Sequence, residues 1–243
     1  MPNSIEDYRK LIEKPWGRMF YDTLFKQLDL SDNSPLKILD FGAGFCVTAD
    51  HYGKHHKVVA IEPDEEMIKL SIHENHFELI HGGKEALSAY ADNSFDFVFC
   101  HNVLEYVPDK EVILKELARI VKPGGKLSIV KHNLMGRIMA YAVFADDPKA
   151  ALDLLECGDN EKSMFGKRNT YSDDHIIGLG RKYGLFMENI FGIRTFFALS
   201  QNDDIKFTPE WYDNMLALEM RTCNITEYNS FSFFRHLIFQ KNK

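Results

Sequence analysis

Five short apolar runs alternate with helical patterns through the first half of the chain, and this alternation limits the possible folds more than any other feature. The runs are residues 36–40, 58–62 (VVAIE), 77–81, 95–100 (FDFVFC) and 126–130. Each reads as a short strand. Val112, Ile113, Leu117, Ile120 and Val121 share one side of a helix over 111–121, which KPGG breaks and turns. Met19, Phe20, Leu24, Phe25 and Leu28 likewise share one face over 17–30. Strands alternating with helices predict an α/β fold with a mostly parallel sheet covered on both faces.

The last third reads differently. Residues 133–169 hold no obvious strand, and DDPKAALDLLECGDNEKSMFGKR suggests a helix followed by a polar loop. A helix runs from about Ser172 to near Gly184, and strand-like segments follow at 188–197 and 231–239. Between those segments, Thr208 is placed as an N-cap with Pro209 at the first helical position and Glu210 in the first turn. Residues 133–169 and 200–228 read as insertions roofing the carboxyl ends of the strands, within a single domain spanning 1–243.

With 243 residues and 45% hydrophobic content, the chain suits one sizeable domain. A net charge of -7 excludes a uniformly basic nucleic-acid clamp and leaves room only for a local basic patch. Cys46, Cys100, Cys157 and Cys223 form no CxxC pair, which predicts reduced thiols in a cytoplasmic protein. No apolar run reaches the ~18 residues of a membrane span, and MPNSIEDYRK lacks the apolar core of a signal peptide. No membrane partner is expected. His51, His55 and His56 have no acid or cysteine completing a ligand set, so they read as a solvated helix end and no metal is expected. His73 and His76 read as a polar helix face.

The sharpest chemical signal is KILDFGAGFCVTAD at 37–50. A Walker loop needs Lys-Ser or Lys-Thr after its glycines, and a dinucleotide fingerprint needs a third glycine where Val47 stands. Asp40, ahead of Gly42, Ala43 and Gly44, would repel a pyrophosphate. It suits a cationic or hydroxylated ligand, and S-adenosylmethionine is one: ammonium, sulfonium and ribose diol, but no phosphate. Gly42 and Gly44 would admit such a ligand to the backbone, and Glu62 closes the next strand where a ribose acceptor belongs. A plain tight turn, an ordinary surface acid, an NAD-dependent oxidoreductase and a non-catalytic cofactor-binding module are the alternatives.

Asp40-Phe-Gly-Ala-Gly, Glu62-Pro63, His101-Asn-Val-Leu-Glu105-Tyr106 and Val121-Lys-Pro-Gly-Gly-Lys126-Leu together resemble the class I methyltransferases from about residue 16 to 131. The resemblance implies a seven-stranded sheet of order 3-2-1-4-5-7-6 with an antiparallel seventh strand, and S-adenosylmethionine as cofactor. Asp40 and the Gly42–Gly44 turn would lie near the methionine moiety and Glu62 at the ribose, with Met67 nearby. Lys84 and Glu85 would pass the adenine, and His101 would stand at the end of strand four. Arg18, near Trp16, would take the cofactor carboxylate. Cys46 departs from the family, which often has a third glycine there.

IHGGKEAL, HNVLEYV, KPGGKLSIVKHNLMGRIM, GIRTF and LALEMRTC narrow the resemblance to the bacterial tRNA 5-carboxymethoxyuridine methyltransferases. That family esterifies a carboxylate on a wobble uridine, which implies tRNA as partner. A guanidinium would anchor the carboxylate, with Arg194 first and Arg221 second. Tyr106, His132 and Asn133 follow strands four and five, where acceptors sit. Phosphate contacts would fall to Arg9, Lys10, Lys14, Arg18, Lys162, Lys167 and Arg168. Ser163-Met164-Phe165-Gly166 interrupts that last basic run, which keeps a small-molecule acceptor as the rival reading.

Overall fold

The structure is a computed structural model that describes residues 4–31, 34–158, 162–163 and 166–243. Strands β1 (Lys37–Phe41), β2 (Lys57–Glu62), β3 (Glu78–His81), β4 (Phe95–His101), β5 (Val121–His132), β6 (Leu185–Ile193) and β7 (Phe234–Lys241) form one seven-stranded sheet. Their order is β3-β2-β1-β4-β5-β7-β6, as the resemblance implied, and the fold is α/β. The pairings β1–β2, β2–β3, β1–β4 and β4–β5 are all parallel. Four of the five residues of β1 and five of the six of β2 are buried, the signature of central strands covered on both faces.

The chain divides into two compact units. One comprises Leu30–Val130, Tyr171–Asn189 and Leu237–Lys243, and the other Met1–Asp29, Lys131–Thr170 and Ile190–His236. In the first, helices α3 (Val47–Gly53), α4 (Glu65–Lys69) and α5 (Lys110–Ile120) connect the strands. Asp64 caps α4 by accepting the N–H groups of Glu66 and Met67, and Asp109 caps α5 through Val112 N–H. Lys241 closes the other end of α5: its ammonium donates to the carbonyls of Ala118, Arg119 and Val121.

The second unit packs α2 (Pro15–Gln27) and α9 (Pro209–Thr222) around Met19, Phe197 and Tyr212, with Trp16, Trp211, Met215 and Leu216 against them. It also holds α1 (Ile5–Ile12), α6 (Leu134–Met139), a π-helical turn at Ala140–Phe144, α7 (Pro148–Cys157) and α10 (Thr226–Asn229). Helix α8 (Asp173–Lys182) belongs to the first unit, lies where a helix was expected, and is capped by the Ser172 hydroxyl, which accepts His175 N–H. Among the described residues, no helix is long and apolar enough to cross a membrane, and all four cysteines are free thiols.

Several expectations need correction. KPGG does not precede the fifth strand but lies within it. Phe95 pairs with Val121 and Phe97 with Lys126, so Lys122–Gly125 form a bulge, with Gly124 at φ +76. Val112 is exposed, and Leu114 takes the buried place on α5. Two-residue strands Lys162–Ser163 and Gly166–Lys167 pair where no strand was expected; Met164, Phe165 and residues 159–161 lie outside the described residues. The sixth strand ends at Ile193, before the expected 197, because Arg194 turns to left-handed backbone at φ 59. Thr208 precedes α9 as an N-cap, but its hydroxyl makes no capping bond. His56 is buried and accepts Leu36 N–H, so it is not a solvated helix end. His73 and His76 lie past the end of α4 in irregular chain.

Two glycines separate packing from backbone freedom. A Cβ at Gly136 would collide with the Ser232 carbonyl oxygen, whereas Gly178 in α8 has open space around it. Gly136→Ala is therefore expected to lower stability by about 3 kcal/mol through overpacking, and Gly178→Ala to raise it by about 0.5–1 kcal/mol through helix propensity. Denaturant melts of both variants check the opposite signs.

Candidate active site

The first unit gathers most of the expected site residues at the carboxyl ends of its strands. Parallel register sets Asp40 beside Ala60 and Glu62 beside His81. Past β1 the chain turns sharply, with Gly42 at φ +74 and Gly44 at φ +55. A Cβ at Gly42 would strike Val103, while one at Gly44 would meet only Met67 Sδ, at 3.8 Å. Gly42 and Ala43 N–H groups both donate to Ile61 O, at 2.8 and 3.1 Å. The turn is thus fastened to β2, and Gly44 presents bare backbone above Met67.

Glu62 completes the fastening. Its Oε2 accepts Gly44 N–H at 2.6 Å and its Oε1 accepts Asp64 N–H at 2.9 Å. Each oxygen keeps a second lone pair, so the carboxylate can still accept a pair of hydroxyls. Asp40 is 3% exposed and Glu62 5%. Burial, then the neighbouring Glu62 charge, pushes the Asp40 carboxyl up to about 7, and Ala49 N–H offsets part of this. Burial also raises Glu62, against two backbone N–H bonds.

Among the described residues, Asp40 Oδ2 is buried and has no hydrogen-bond partner. An idle buried carboxylate oxygen is costly unless something satisfies it. A cation or hydroxyl would, and a phosphate would not. The residues therefore fit a cationic, phosphate-free ligand laid over the glycine turn.

The remaining residues of this unit fall around that turn or beyond it. Pro63 is exposed and its carbonyl lies 3.0 Å from His81 Nε2. Lys84 opens a 3₁₀ turn, and Glu85 reaches back to accept Gly83 N–H at 2.6 Å. Both are exposed, and the Glu85 carboxyl is held below its ordinary range chiefly by that bond. His101 ends β4, with Nε2 2.8 Å from Ser128 Oγ. Burial pushes it down to about 3, so it is a neutral imidazole. Tyr106 is half-buried in the turn after β4, its N–H bonded to Val103 O. Sequence reasoning did not single out Ser128 or Val103. A lone serine inside the apolar run LSIV was the available signal for Ser128.

Arg18 and Arg194 belong to the second unit. Arg18 is exposed, with its guanidinium 4.7 Å from the centre of the Tyr212 ring, while Tyr212 OH donates to Asp22 Oδ2 at 2.7 Å. Arg194 is half-buried, in left-handed backbone at φ 59, over the rings of Phe197, Phe233 and Phe234. Arg221, the second choice, is exposed on the last turn of α9. The Asn133 Nδ2 group donates to the carbonyls of Ser230 and Ser232 and so holds a loop. His132 packs against Phe233 and Phe234.

Several of the residues expected to meet phosphate have partners within the chain. Arg9 pairs with Glu13 at 2.6 Å and Lys10 with Asp7 at 3.7 Å on their own helix. Arg168 is buried, and the side chains of Lys162 and Lys167 lie outside the described residues.

Residues 39–129, from β1 into β5, match the family model of the methyltransferase domain. The chain is 24% identical to the tRNA 5-carboxymethoxyuridine methyltransferase of Escherichia coli (strain K12), over 93% of this chain and 89% of that protein. It is 32% identical to a ubiquinone biosynthesis O-methyltransferase of Xanthomonas oryzae pv. oryzae (strain PXO99A), over 50% and 52%. The S-adenosylmethionine-dependent methyltransferase of Mesorhizobium loti shares the fold, with TM-score 0.59 at 16% identity over 93% of this chain and 100% of that one. An acid at the end of β1 that would repel phosphate suits S-adenosylmethionine and not a dinucleotide, and residues 39–129 carry the methyltransferase domain that the family model describes.

Proposed function

We propose that the protein esterifies a carboxylate, and that its acceptor is the 5-carboxymethoxyuridine of tRNA. The observation that carries this reading is the Arg194 guanidinium. It rests on three phenylalanine rings, and none of the ion pairs or hydrogen bonds among the described residues engages it. A cation kept in that state suits a carboxylate of the substrate. Likeness to the Escherichia coli tRNA enzyme through nearly the whole chain supports the same acceptor. The rival is a small-molecule acceptor, supported by likeness over half the chain to a ubiquinone biosynthesis O-methyltransferase and by the net charge of -7.

S-adenosylmethionine, when bound, supplies a methyl group on a positively charged sulfur. We assign Asp40 to the cofactor's ammonium end and Glu62 to its ribose hydroxyls. Gly42, Ala43 and Gly44 let the backbone approach, Met67 packs beneath, and Pro63, Lys84, Glu85 and His101 line the remainder. A carboxylate acceptor with a pKa near ~4 is already ionised at neutral pH, so no general base is needed. An ionised carboxylate would accept the electrophilic methyl group of bound S-adenosylmethionine with no proton to remove. This accounts for a site whose imidazole, His101, is held neutral. The protein's work is to hold one carboxylate oxygen, leave the other free and exclude water. Tyr106 and residues 133–169 and 200–228 are assigned to acceptor recognition.

Two outcomes follow. Arg194→Ala is expected to lower kcat/KM for tRNA bearing 5-carboxymethoxyuridine by about a hundredfold, while S-adenosylhomocysteine still raises Tm as in the unaltered protein. Methylation of a metabolite extract but never of that tRNA would establish the rival reading. Because free Asp40 is half protonated near pH 7, a cationic cofactor must bind the ionised form. Affinity for S-adenosylmethionine should rise about tenfold between about pH 6 and about pH 8, with proton release near neutrality. Calorimetry in buffers of different ionisation enthalpy measures both, and Asp40→Asn should bind weakly with a flat profile. A pH-independent wild type would remove Asp40 from the cofactor.

A further inference from the structure

The second unit holds a device that the methyl-transfer chemistry has not yet used. Glu219, on α9, is fully buried. Its Oε2 accepts Thr195 N–H at 2.8 Å, and its Oε1 accepts Phe196 and Phe197 N–H at 2.8 and 2.9 Å. One carboxylate thus ties down three consecutive amides immediately after Arg194. The other side of the turn is fixed as well: Gly192 N–H donates to Cys223 O at 2.7 Å, and Gln27 Nε2 donates to Gly192 O at 2.8 Å. Arg194 sits between these clamps at φ 59, a conformation a non-glycine side chain keeps only when its surroundings impose it.

The roles of the two charges are separated. Had Glu219 met the guanidinium directly, it would have consumed the donors of Arg194. Instead the backbone occupies the acid, and the aromatic rings hold the cation, with ring centres 5.1–5.7 Å from its central carbon. Rings attract a cation through their faces without accepting its fork of N–H donors in a fixed geometry. Among the described residues, Arg194 Nε and Thr195 Oγ1 are both buried without a hydrogen-bond partner. Burial pushes Arg194 down to about 10, which leaves it charged at neutral pH.

We infer that Glu219 is a positioning residue for acceptor recognition: by clamping the 195–197 amides it holds Arg194 as a preformed receptor for an organic carboxylate. This rests on the carboxylate-acceptor reading above. It adds the residue that makes the receptor rigid, and it predicts that a small carboxylate binds without the rest of the substrate.

The test uses the full chain and phenoxyacetate, an aryl ether of the same acid type, with its uncharged methyl ester as control. The Arg194 Nε–H resonance is identified by its loss in Arg194→Ala. Phenoxyacetate should shift it, and the ester should not. Glu219→Gln should weaken phenoxyacetate binding about tenfold or more, the loss expected for a displaced charged hydrogen bond. Glu219→Asp should recover to within about threefold. Stabilisation by S-adenosylhomocysteine should be retained in both. A folded Glu219→Gln chain that binds phenoxyacetate like wild type overturns the inference and leaves the carboxylate reading intact. Undiminished turnover of 5-carboxymethoxyuridine tRNA by Arg194→Ala overturns the reading beneath it. If Glu219→Gln does not fold, amide exchange in wild type decides. Exchange at Thr195, Phe196 and Phe197 should slow when phenoxyacetate binds, and unchanged exchange counts against the clamp.

Discussion

The cofactor-binding unit depends on burying two carboxylates at the ends of neighbouring strands. Water is a better solvent for an anion than a protein interior, so each acid must be engaged or protonated. Glu62 is engaged: it ties Gly44 to the turn that follows β2. Asp40 keeps one oxygen idle, and its carboxyl rises to about 7. The two solutions are linked, since the Glu62 charge adds to the rise of Asp40. A bound cation would relieve both acids at once. The strain of the ligand-free site is thus an electrostatic preference for what it binds.

The place of the glycine turn was legible in the sequence because it is local, whereas the order of the strands came only from the resemblance. An apolar run ending in Asp-Phe-Gly-Ala-Gly needs no distant partner to be read. Boundaries were less legible where local signals compete. Pro123 and Gly124 terminate a helix in sequence terms, yet the register of β4 with β5 carries pairing across them as a bulge. The partners of Asn133 were hidden for a related reason. Its position after β5 suggested an acceptor contact, but its amide is used by carbonyls about a hundred residues away in the chain, at Ser230 and Ser232.

Glu219 shows the same limit in its strongest form. Nothing in LALEMRTC sets Glu219 apart from an ordinary helix acid. Its true partners are backbone amides, which carry no residue identity and leave no mark on the sequence. Its one visible trace was its spacing, three residues after Leu216, which packs on the apolar cluster of α9. Arg194 was proposed as a carboxylate anchor from the resemblance at GIRTF. The conformation that gives it meaning, left-handed and held by its neighbours, could come only from the fold.

Cys46 joins these strands of argument. Cys46 stands at φ 60 and ψ 24 ahead of α3, a backbone region that favours glycine. A non-glycine residue in that region costs about 1–2 kcal/mol. The side chain recovers part of it, because Cys46 is fully buried and burying a small apolar group contributes on the order of 1 kcal/mol. Burial, with the charges of Asp40, Glu62 and Asp50, pushes its thiol far above the ordinary range, so it remains a neutral packing group and not a nucleophile. The same acids that prepare the turn for a cation therefore keep the thiol beside it unreactive. At this position the chain places a buried sulfur beneath the glycine turn.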